Sequence, residues 1–216
     1  MGFSVSIIAF ARQDRERVLS QTGWRVTNQQ VGIPVDISYG NWQKLLSPER
    51  QAANSPHFSA ATTDDYFFVY VSLKELRTFE RPDYARLSAI APLTVHTVVE
   101  TSDAAIVEHW QDGRQVWSIG GASRMEYESS GPTPIDLESE AEAYRTWWAS
   151  IRPDLEERGI QQSDLAAENA ELIVNAFSSL VGNYFARTTG FRYDGDHPDL
   201  FRLNGTLPVI DPRQKR

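Results

Sequence analysis

The sequence predicts an α+β fold in which an antiparallel sheet packs against C-terminal helices. Three observations predict it. Residues 94–120 alternate apolar and polar side chains around an Asp-Gly pair, which is typical of tight β-hairpins. Residues 65–73 form a short β-branched and aromatic run, and residues 137–190 carry apolar side chains at helical spacing. Strands followed by helices favour the α+β class.

The N-terminal region is predicted to form a strand and then a short helix. Residues 3–11 (FSVSIIAFA) are rich in β-branched and aromatic side chains, and the polar segment after them ends at Gly23, a residue typical of helix C-termini. Residues 24–64 contain only weak signals for a short strand and a helix, and the loop-like SPHFSAATTDD follows at 55–65. Residues 74–92 are expected to be helical in part.

The clearest β signal predicts three antiparallel strands near residues 94–101, 104–111 and 114–120. Between the last two, Asp112 and Gly113 supply the positive φ angles that a two-residue type I′ turn requires. The antiparallel meander is therefore the best-defined part of the predicted fold.

The turn fixes which side chains share a face of this hairpin. It places Gln111 opposite Arg114 and Trp110 opposite Gln115, and regular alternation extends the pattern from there. Both resulting faces contain apolar residues, so we expect the hairpin to be at least partly covered on each side. The first predicted face contains Ile106, Glu108, Trp110, Gln115, Trp117 and Ile119, and the second contains Ala105, Val107, His109, Val116 and Ser118.

The last third of the chain is predicted to be helical. Pro153 is expected to kink or restart the first helix, and a second helix is expected to begin at an N-cap, Ser163, and to end near Gly190. We expect a single domain over residues 1–216, with 136–190 as its acidic helical portion and 205–216 as a loosely ordered tail. The apolar stripe of the first helix consists of Leu137, Ala141, Tyr144, Trp148, Ile151 and Leu155.

Composition narrows the functional classes. The net charge of −8 argues against a nucleic-acid-binding protein, and the absence of cysteine excludes disulfides, thiolate metal sites and cysteine nucleophiles. The apolar run from Val5 to Ala11 is too short to cross a bilayer and lacks a signal peptide's basic leader, so no membrane association is expected. We expect a cytoplasmic protein.

The charge is concentrated in one segment. Between Asp136 and Glu171 ten acidic residues stand against three arginines, while the rest of the chain is nearly neutral. Such a segment is either a solvated helix face or a surface that attracts a basic partner. We expect the partner-binding residues to be Glu138, Glu140, Glu142, Glu156 and Glu157, with Trp147 as an exposed aromatic anchor.

The hairpin offers an alternative, catalytic interpretation. Trp110 and Trp117 would grip a ligand ring if they are not core residues, and Glu108 would act with His109 or His96 as an acid–base group. A structural ion pair between Glu108 and a base such as Arg114 or Arg192, which would hold its carboxylate ionised, is the favoured interpretation over a catalytic acid. The tryptophans are more simply explained as sheet core.

No cofactor and no metal ion are expected. The nearest approach to a metal motif is FRYDGDHPD, where Asp194, Asp196, His197 and Asp199 place oxygen and nitrogen donors close together. The glutamate that completes an EF-hand loop is missing, and the same residues are good turn formers. Signatures of serine hydrolases and phosphate-binding loops are also absent from the sequence.

Several segments together resemble a group of bacterial proteins of unassigned function. These segments are the opening MGFSVSIIAFA, the strand YFFVYV, the hairpin EHWQDGRQVWSI and the late TGFRYD. The resemblance extends from the start to about Asp194 and implies a cytoplasmic protein, but no active site. A small, acidic, cysteine-free α+β chain is also similar in class to immunity proteins of bacterial toxin systems.

The leading hypothesis is therefore a non-enzymatic cytoplasmic protein that binds a protein partner through its acidic surface. The expected partner is a basic toxin domain. The alternatives are a small-molecule or hydrolytic site near Glu108 and His109, and a homodimer of structural role.

Overall fold

The computed structural model describes residues 4–31, 58–72, 82–99, 104–122, 128–134 and 136–139, single positions 142, 146, 150, 153 and 157, and residues 181–182, 184–185, 187–190, 200–205, 207–208 and 210. Its strands are β1 (Ser4–Ala11), β2 (Arg25–Val31), β3 (Phe58–Thr62), β4 (Tyr66–Ser72), β5 (Leu93–Val99), β6 (Ala104–Gln111), β7 (Arg114–Ala122), β8 (Glu128–Ser130) and β9 (Leu200–Asn204). Two helices are described over their full length, α1 (Arg15–Thr22) and α2 (Tyr84–Ile90).

These strands form one antiparallel sheet in the order β2-β9-β3-β4-β1-β5-β6-β7-β8. The predicted α+β class is confirmed. The first strand, β1, lies near the centre, between β4 and β5, because its side chains are apolar on both faces and bury fully there. A short 3₁₀ turn leads from β1 into α1, which ends at Gly23 with φ 72°, as expected of a helix C-terminus.

Four strands, β2, β3, β8 and β9, lie where the sequence did not predict them, and β8 is the short edge strand beside β7. The β3 strand occupies part of the predicted loop at 55–65, β2 lies in the weakly patterned region after Gly23, and β9 lies in the turn-rich C-terminal region. The chain returns at β9 to insert between β2 and β3, so these three strands are neighbours despite their distance in sequence. Tertiary pairing here outweighs weak local preference.

The first residues of the predicted loosely ordered tail, 205–216, are packed against the rest of the fold. Leu207 is buried in the core, and the carbonyl of Pro208 accepts a 2.7 Å hydrogen bond from the backbone N–H of Asp83. These contacts hold the chain just after β9 against the start of α2, because an apolar side chain is removed from water there. The expectation of looseness is wrong for this part of the range 205–216, and residues 211–216 lie outside the described residues.

The sheet has a core on each side, and we call its two sides face A and face B. Face A carries Ile7, Phe68, His96 and Val107, packed against helical residues between 181 and 189. Face B carries Ile8, Phe67, Val95 and Leu93, packed against α1 and α2 through Val18, Tyr84 and Leu87. Alternation along each strand sends adjacent residues to opposite cores. The central strands are therefore covered on both sides.

The described part of the first C-terminal helix has one buried position. Leu137 belongs to the face A core, whereas Glu138, Glu142 and Glu157 are exposed. Asp136 accepts a 3.2 Å hydrogen bond from the backbone N–H of Ser139, which is the contact of an N-cap. Pro153 has helical backbone. The rest of the predicted stripe, the kink expected at Pro153 and the predicted N-cap at Ser163 depend on residues outside the described part of the chain.

Candidate functional site

The β6–β7 hairpin has the predicted turn. Asp112 and Gly113 have φ angles of 51° and 76°, so both central residues are left-handed, as type I′ requires. The pairs Gln111–Arg114 and Trp110–Gln115 are formed as expected. The turn is also anchored to α2, because the backbone N–H of Gly113 donates to Ser88 Oγ at 3.1 Å. The tip of the hairpin is thus fixed at a second point.

Beyond the turn a β-bulge reverses the predicted faces of β7. Trp110 pairs with Gln115, but the preceding residue His109 pairs with Trp117, so Val116 is an extra residue on β7. One extra residue shifts all later side chains to the other side of the sheet. The prediction that Trp110 and Trp117 share a face is therefore wrong: Trp110 packs on face B and Trp117 on face A. Ile119 moves with Trp117 to face A.

On face A the bulge assembles a cluster of aromatic rings around two histidines. His109 and Trp117 lie face to face, with ring centroids 5.6 Å apart and planes 14° apart. Trp117 in turn meets the ring of Tyr184 edge to face at 5.4 Å. On the neighbouring strand His96 contacts Phe185 at 5.2 Å. The histidines therefore lie on one face, as their positions on adjacent strands allowed, and both contact residues that dock the helix.

His109 is the half-buried member of this cluster. Its Nδ1 lies 3.1 Å from Thr94 Oγ1, which ties β6 to β5 through side chains. Burial lowers the pKa of His109 from its ordinary value, because the charged imidazolium loses hydration there. His96 is only 1% exposed, so its ring is a core residue of face A rather than part of an open site.

Tyr184 brings a second titratable group to the cluster. Burial raises the pKa of its phenol, and the nearby Tyr66 adds to the rise, while a hydrogen bond with Thr188 and the charge of Arg187 lower it. Neither Tyr184 nor Thr94 was among the residues that the sequence predicts for this cluster. Tyr184 lies in a segment that is apolar around most of its circumference, so no periodicity distinguishes the side that meets the hairpin.

Face B holds the buried carboxylate of the hairpin. Glu108 is 6% exposed and lies between Val95 on β5 and Ser118 on β7. A row of hydroxyls crosses the same face one step away: Tyr84 donates to Ser6 Oγ at 2.9 Å, and Ser6 and Thr97 share a 2.8 Å hydrogen bond. Polar groups buried in this way require hydrogen bonds or charge partners, and such networks fix one arrangement of a core.

Trp110 lies on face B beside this row. Its ring lies 6.0 Å from that of Tyr84, in the core under α2. Its indole Nε1 is buried and has no hydrogen-bond partner among the described residues. Trp110 and Trp117 are therefore packing residues of two different cores and do not form the two sides of a ring-binding slot.

The catalytic set suggested by the sequence is divided by the sheet. His96 and His109 lie on face A, whereas Glu108 lies on face B. Adjacent residues of one strand point to opposite faces, so Glu108 and His109 cannot act on the same atom of a substrate. The hypothesis of an acid–base site that joins Glu108 to either histidine is wrong for this geometry.

The predicted partner-binding residues are described in part. Glu138, Glu142 and Glu157 are exposed, together with Asp136 at the cap. Glu138 follows the buried Leu137 in the same helical turn, so its carboxylate is presented on the outer side, and Glu142 and Glu157 also have helical backbone. Glu140, Trp147 and Glu156 lie outside the described side chains, and they remain predictions.

The alternative metal residues Asp194, Asp196, His197 and Asp199 also lie outside the described residues. Within the described part of the chain, no three or more histidine, aspartate or glutamate side chains are grouped so as to hold a metal ion. Of the helices that the structure describes, none is long and apolar enough to cross a bilayer.

Comparison with protein-family models, with curated proteins and with solved structures gave no match to this chain. The resemblance to a group of bacterial proteins therefore stays a prediction made from short sequence segments.

Proposed function

We propose that this protein is a non-enzymatic cytoplasmic protein that binds a basic protein partner through its acidic helical surface. The observation that carries the proposal is the exposure of Glu138, Glu142 and Glu157, which all have helical backbone, after a Leu137 that is held in the core. A helix docked on one side presents its charges at fixed positions, so the field that they produce has a defined direction. Fixed charge of one sign speeds association with a partner of opposite sign.

The location of the hairpin tryptophans supports binding over catalysis. Trp117 is 7% exposed in the face A core, and Trp110 packs on the other face. The residues that a small-molecule site would need are thus used for packing. The acidic segment remains the feature of the chain that packing does not explain, since ten acids lie there against three arginines.

We propose a toxin domain as the partner, in keeping with the likeness in size, charge and lack of cysteine to immunity proteins. A toxin domain that acts on nucleic acid is itself basic, and a strongly acidic surface is complementary to it. The choice of a toxin domain rests on similarity in protein class, so the experiment identifies the partner independently.

The experiment is a pull-down with the products of neighbouring genes, followed by association-rate measurements at low and high salt. The test variant is Glu138→Gln/Glu142→Gln/Glu157→Gln, and the matched control is Glu16→Gln/Asp65→Asn/Glu128→Gln, in which three exposed carboxylates elsewhere are neutralised. We expect the test variant to slow association by about tenfold or more at low salt, and the control to change it by less than about twofold. Equal rates for the two variants would exclude the acidic helix as the binding surface.

A second variant tests the anchor. Trp147→Ala is expected to speed dissociation with little effect on association, because a buried aromatic contact acts after encounter. If no product of a neighbouring gene is retained at either salt concentration, the proposed partner class is wrong.

A further inference from the structure

Two histidine contacts connect face A to the helical residues between 181 and 189. His96 reaches the helix directly through Phe185. His109 reaches it through Trp117, whose ring lies between the imidazole and Tyr184. The second connection is a chain of three rings that starts at a half-buried, titratable group. The strength of this second connection therefore depends on whether His109 is protonated.

A proton on His109 changes this chain at its first contact. A neutral imidazole can donate to Thr94 Oγ1 or accept from it, whereas an imidazolium only donates and seeks water at its other nitrogen. Stacking of the cation on the Trp117 ring attracts it and opposes this movement toward water. Burial lowers the pKa of His109, because the imidazolium loses hydration there.

The other charged or titratable groups near this contact come from each element packed on face A. They are His96 on β5, Arg114 on β7 opposite Gln111, Tyr184 and Arg187 on the helix, and Tyr66 and Tyr70 on β4. Asp136 and Glu138 flank Leu137 where the acidic helix meets the same core, and both are exposed. Only the two histidines have ordinary pKa values between 5 and 8.

We propose that His109, Thr94 and Trp117 form an acid-sensitive latch that holds the helical residues between 181 and 189 on the sheet. Near neutral pH the unprotonated ring stays stacked on Trp117. Below pH 6 the protonated ring turns toward water, the Trp117–Tyr184 contact loosens, and the helix detaches more often while the rest of the sheet stays folded. The sheet retains its face B core in this open form, because α1 and α2 pack on the other side.

Linkage gives the size of the effect. The folded-state pKa of His109 lies below that of the hydrated ring, so the closed form binds fewer protons than the open form. The neutral form of His109 therefore stabilises the closed state fully above the ordinary histidine pKa, about 6.5. This stabilisation decreases as the pH falls below that value. At pH 5.5, one unit lower, a single histidine can raise the open population by at most about tenfold.

The absence of cysteine permits a direct measurement of opening. Val181 is fully buried on face A, so the thiol of Val181→Cys reacts with a maleimide or an aromatic disulfide only when the helix opens. The labelling rate is compared with that of Val181→Cys/His109→Phe at each pH, which cancels the change in thiolate fraction. Phe keeps a ring against Trp117 without a titratable group.

We expect the labelling rate of Val181→Cys, divided by that of Val181→Cys/His109→Phe, to rise by about three- to tenfold as the pH is lowered from 7.5 to 5.5. The labelling rate of Val181→Cys should also depend weakly on urea, because a local opening exposes little surface. A pH-independent ratio would overturn the latch. A urea dependence equal to that of global unfolding would overturn it as well, since the helix would then be released only with the whole fold.

A second substitution guards against a packing artefact of phenylalanine. His109→Gln keeps a polar contact for Thr94 and does not titrate. It should remove the pH dependence as His109→Phe does. If His109→Gln keeps the wild-type pH dependence, another group is responsible and the proposal fails.

Discussion

Gly131 lies directly against the carbonyl of Val116, the extra residue of the β7 bulge. A β-carbon at Gly131 would be 2.1 Å from that oxygen and 3.0 Å from the α-carbon of Trp117. The φ angle of Gly131 is 77°, a conformation that suits glycine. The turn after β8 therefore closes over the bulge, and the position of Trp117 depends on this approach.

Gly131→Ala is expected to destabilise the protein by more than about 3 kcal/mol. The left-handed backbone alone costs an alanine about 1–2 kcal/mol, and the overlap with the Val116 carbonyl requires β7 and β8 to separate. Urea denaturation measures the change. The matched control is Gly190→Ala, where φ is 71° and no atom lies within 4 Å of the added carbon, so only the backbone cost of about 1–2 kcal/mol is expected. Equal losses for both variants would show that the close approach has no energetic effect.

The bulge also shows where prediction from sequence ends. The turn type and the first pairs followed from Asp112 and Gly113, and both are confirmed. The bulge at Val116 lies against Gly131, which is outside the hairpin and distant along the chain from the turn. No property of Val116 marks it as an extra residue. The error in one position therefore placed both Trp117 and Ile119 on the wrong face.

Trp117→Ala is expected to cost about 3–5 kcal/mol, the usual range for removing a buried tryptophan or phenylalanine side chain. Trp117 is 7% exposed and joins His109 to Tyr184. The same substitution should expose Tyr184 and bring its pKa back toward 10, because burial is the main cause of the rise. Denaturation and an absorbance titration of tyrosine measure the two effects. A folded variant with the wild-type tyrosine titration would contradict this arrangement.

Trp110→Phe is expected to change stability by no more than about 1 kcal/mol. The smaller ring loses packing against Tyr84, but the substitution also removes an indole N–H that is buried without a hydrogen-bond partner among the described residues. A buried unsatisfied donor costs about 1–3 kcal/mol, so the two effects oppose each other. A loss of more than about 2 kcal/mol would indicate that Nε1 is satisfied in solution, for example by water.

The stability of the fold is expected to fall as the pH rises above about 10. Burial raises the pKa of Tyr184 and raises that of Tyr70 well above the ordinary value. The unfolded chain then loses its phenolic protons at a lower pH than the folded one, so alkali favours unfolding and stability is fully present below the unfolded pKa. Urea denaturation between pH 8 and 11 should show this slope, and Tyr70→Phe should reduce it. An unchanged slope in Tyr70→Phe would argue against its burial.

Two of the strands that were not predicted, β3 and β9, share one property. β3 begins at Phe58 and contains mainly small residues, and the structure pairs it with β9, whose first residue is Leu200. Neither segment carries enough β-branched side chains to be recognised as a strand from its own sequence. Each is stabilised instead by pairing with its neighbours in the sheet. Segments whose faces are both buried, such as β1 and β4, were predicted correctly since their composition alone indicates a strand.

Asp136 separates the electrostatic role of the acidic helix from its folding. Its carboxylate caps the helix through the N–H of Ser139, and it adds one of the exposed negative charges. Asp136→Ala should lose about 1 kcal/mol of stability, whereas Asp136→Asn should lose only a few tenths, because asparagine also accepts the capping hydrogen bond. Both variants remove one charge, so both should slow association with a basic partner equally, by about twofold at low salt. Weaker binding in Asp136→Ala alone would mean that order of the helix, and not its charge, controls recognition.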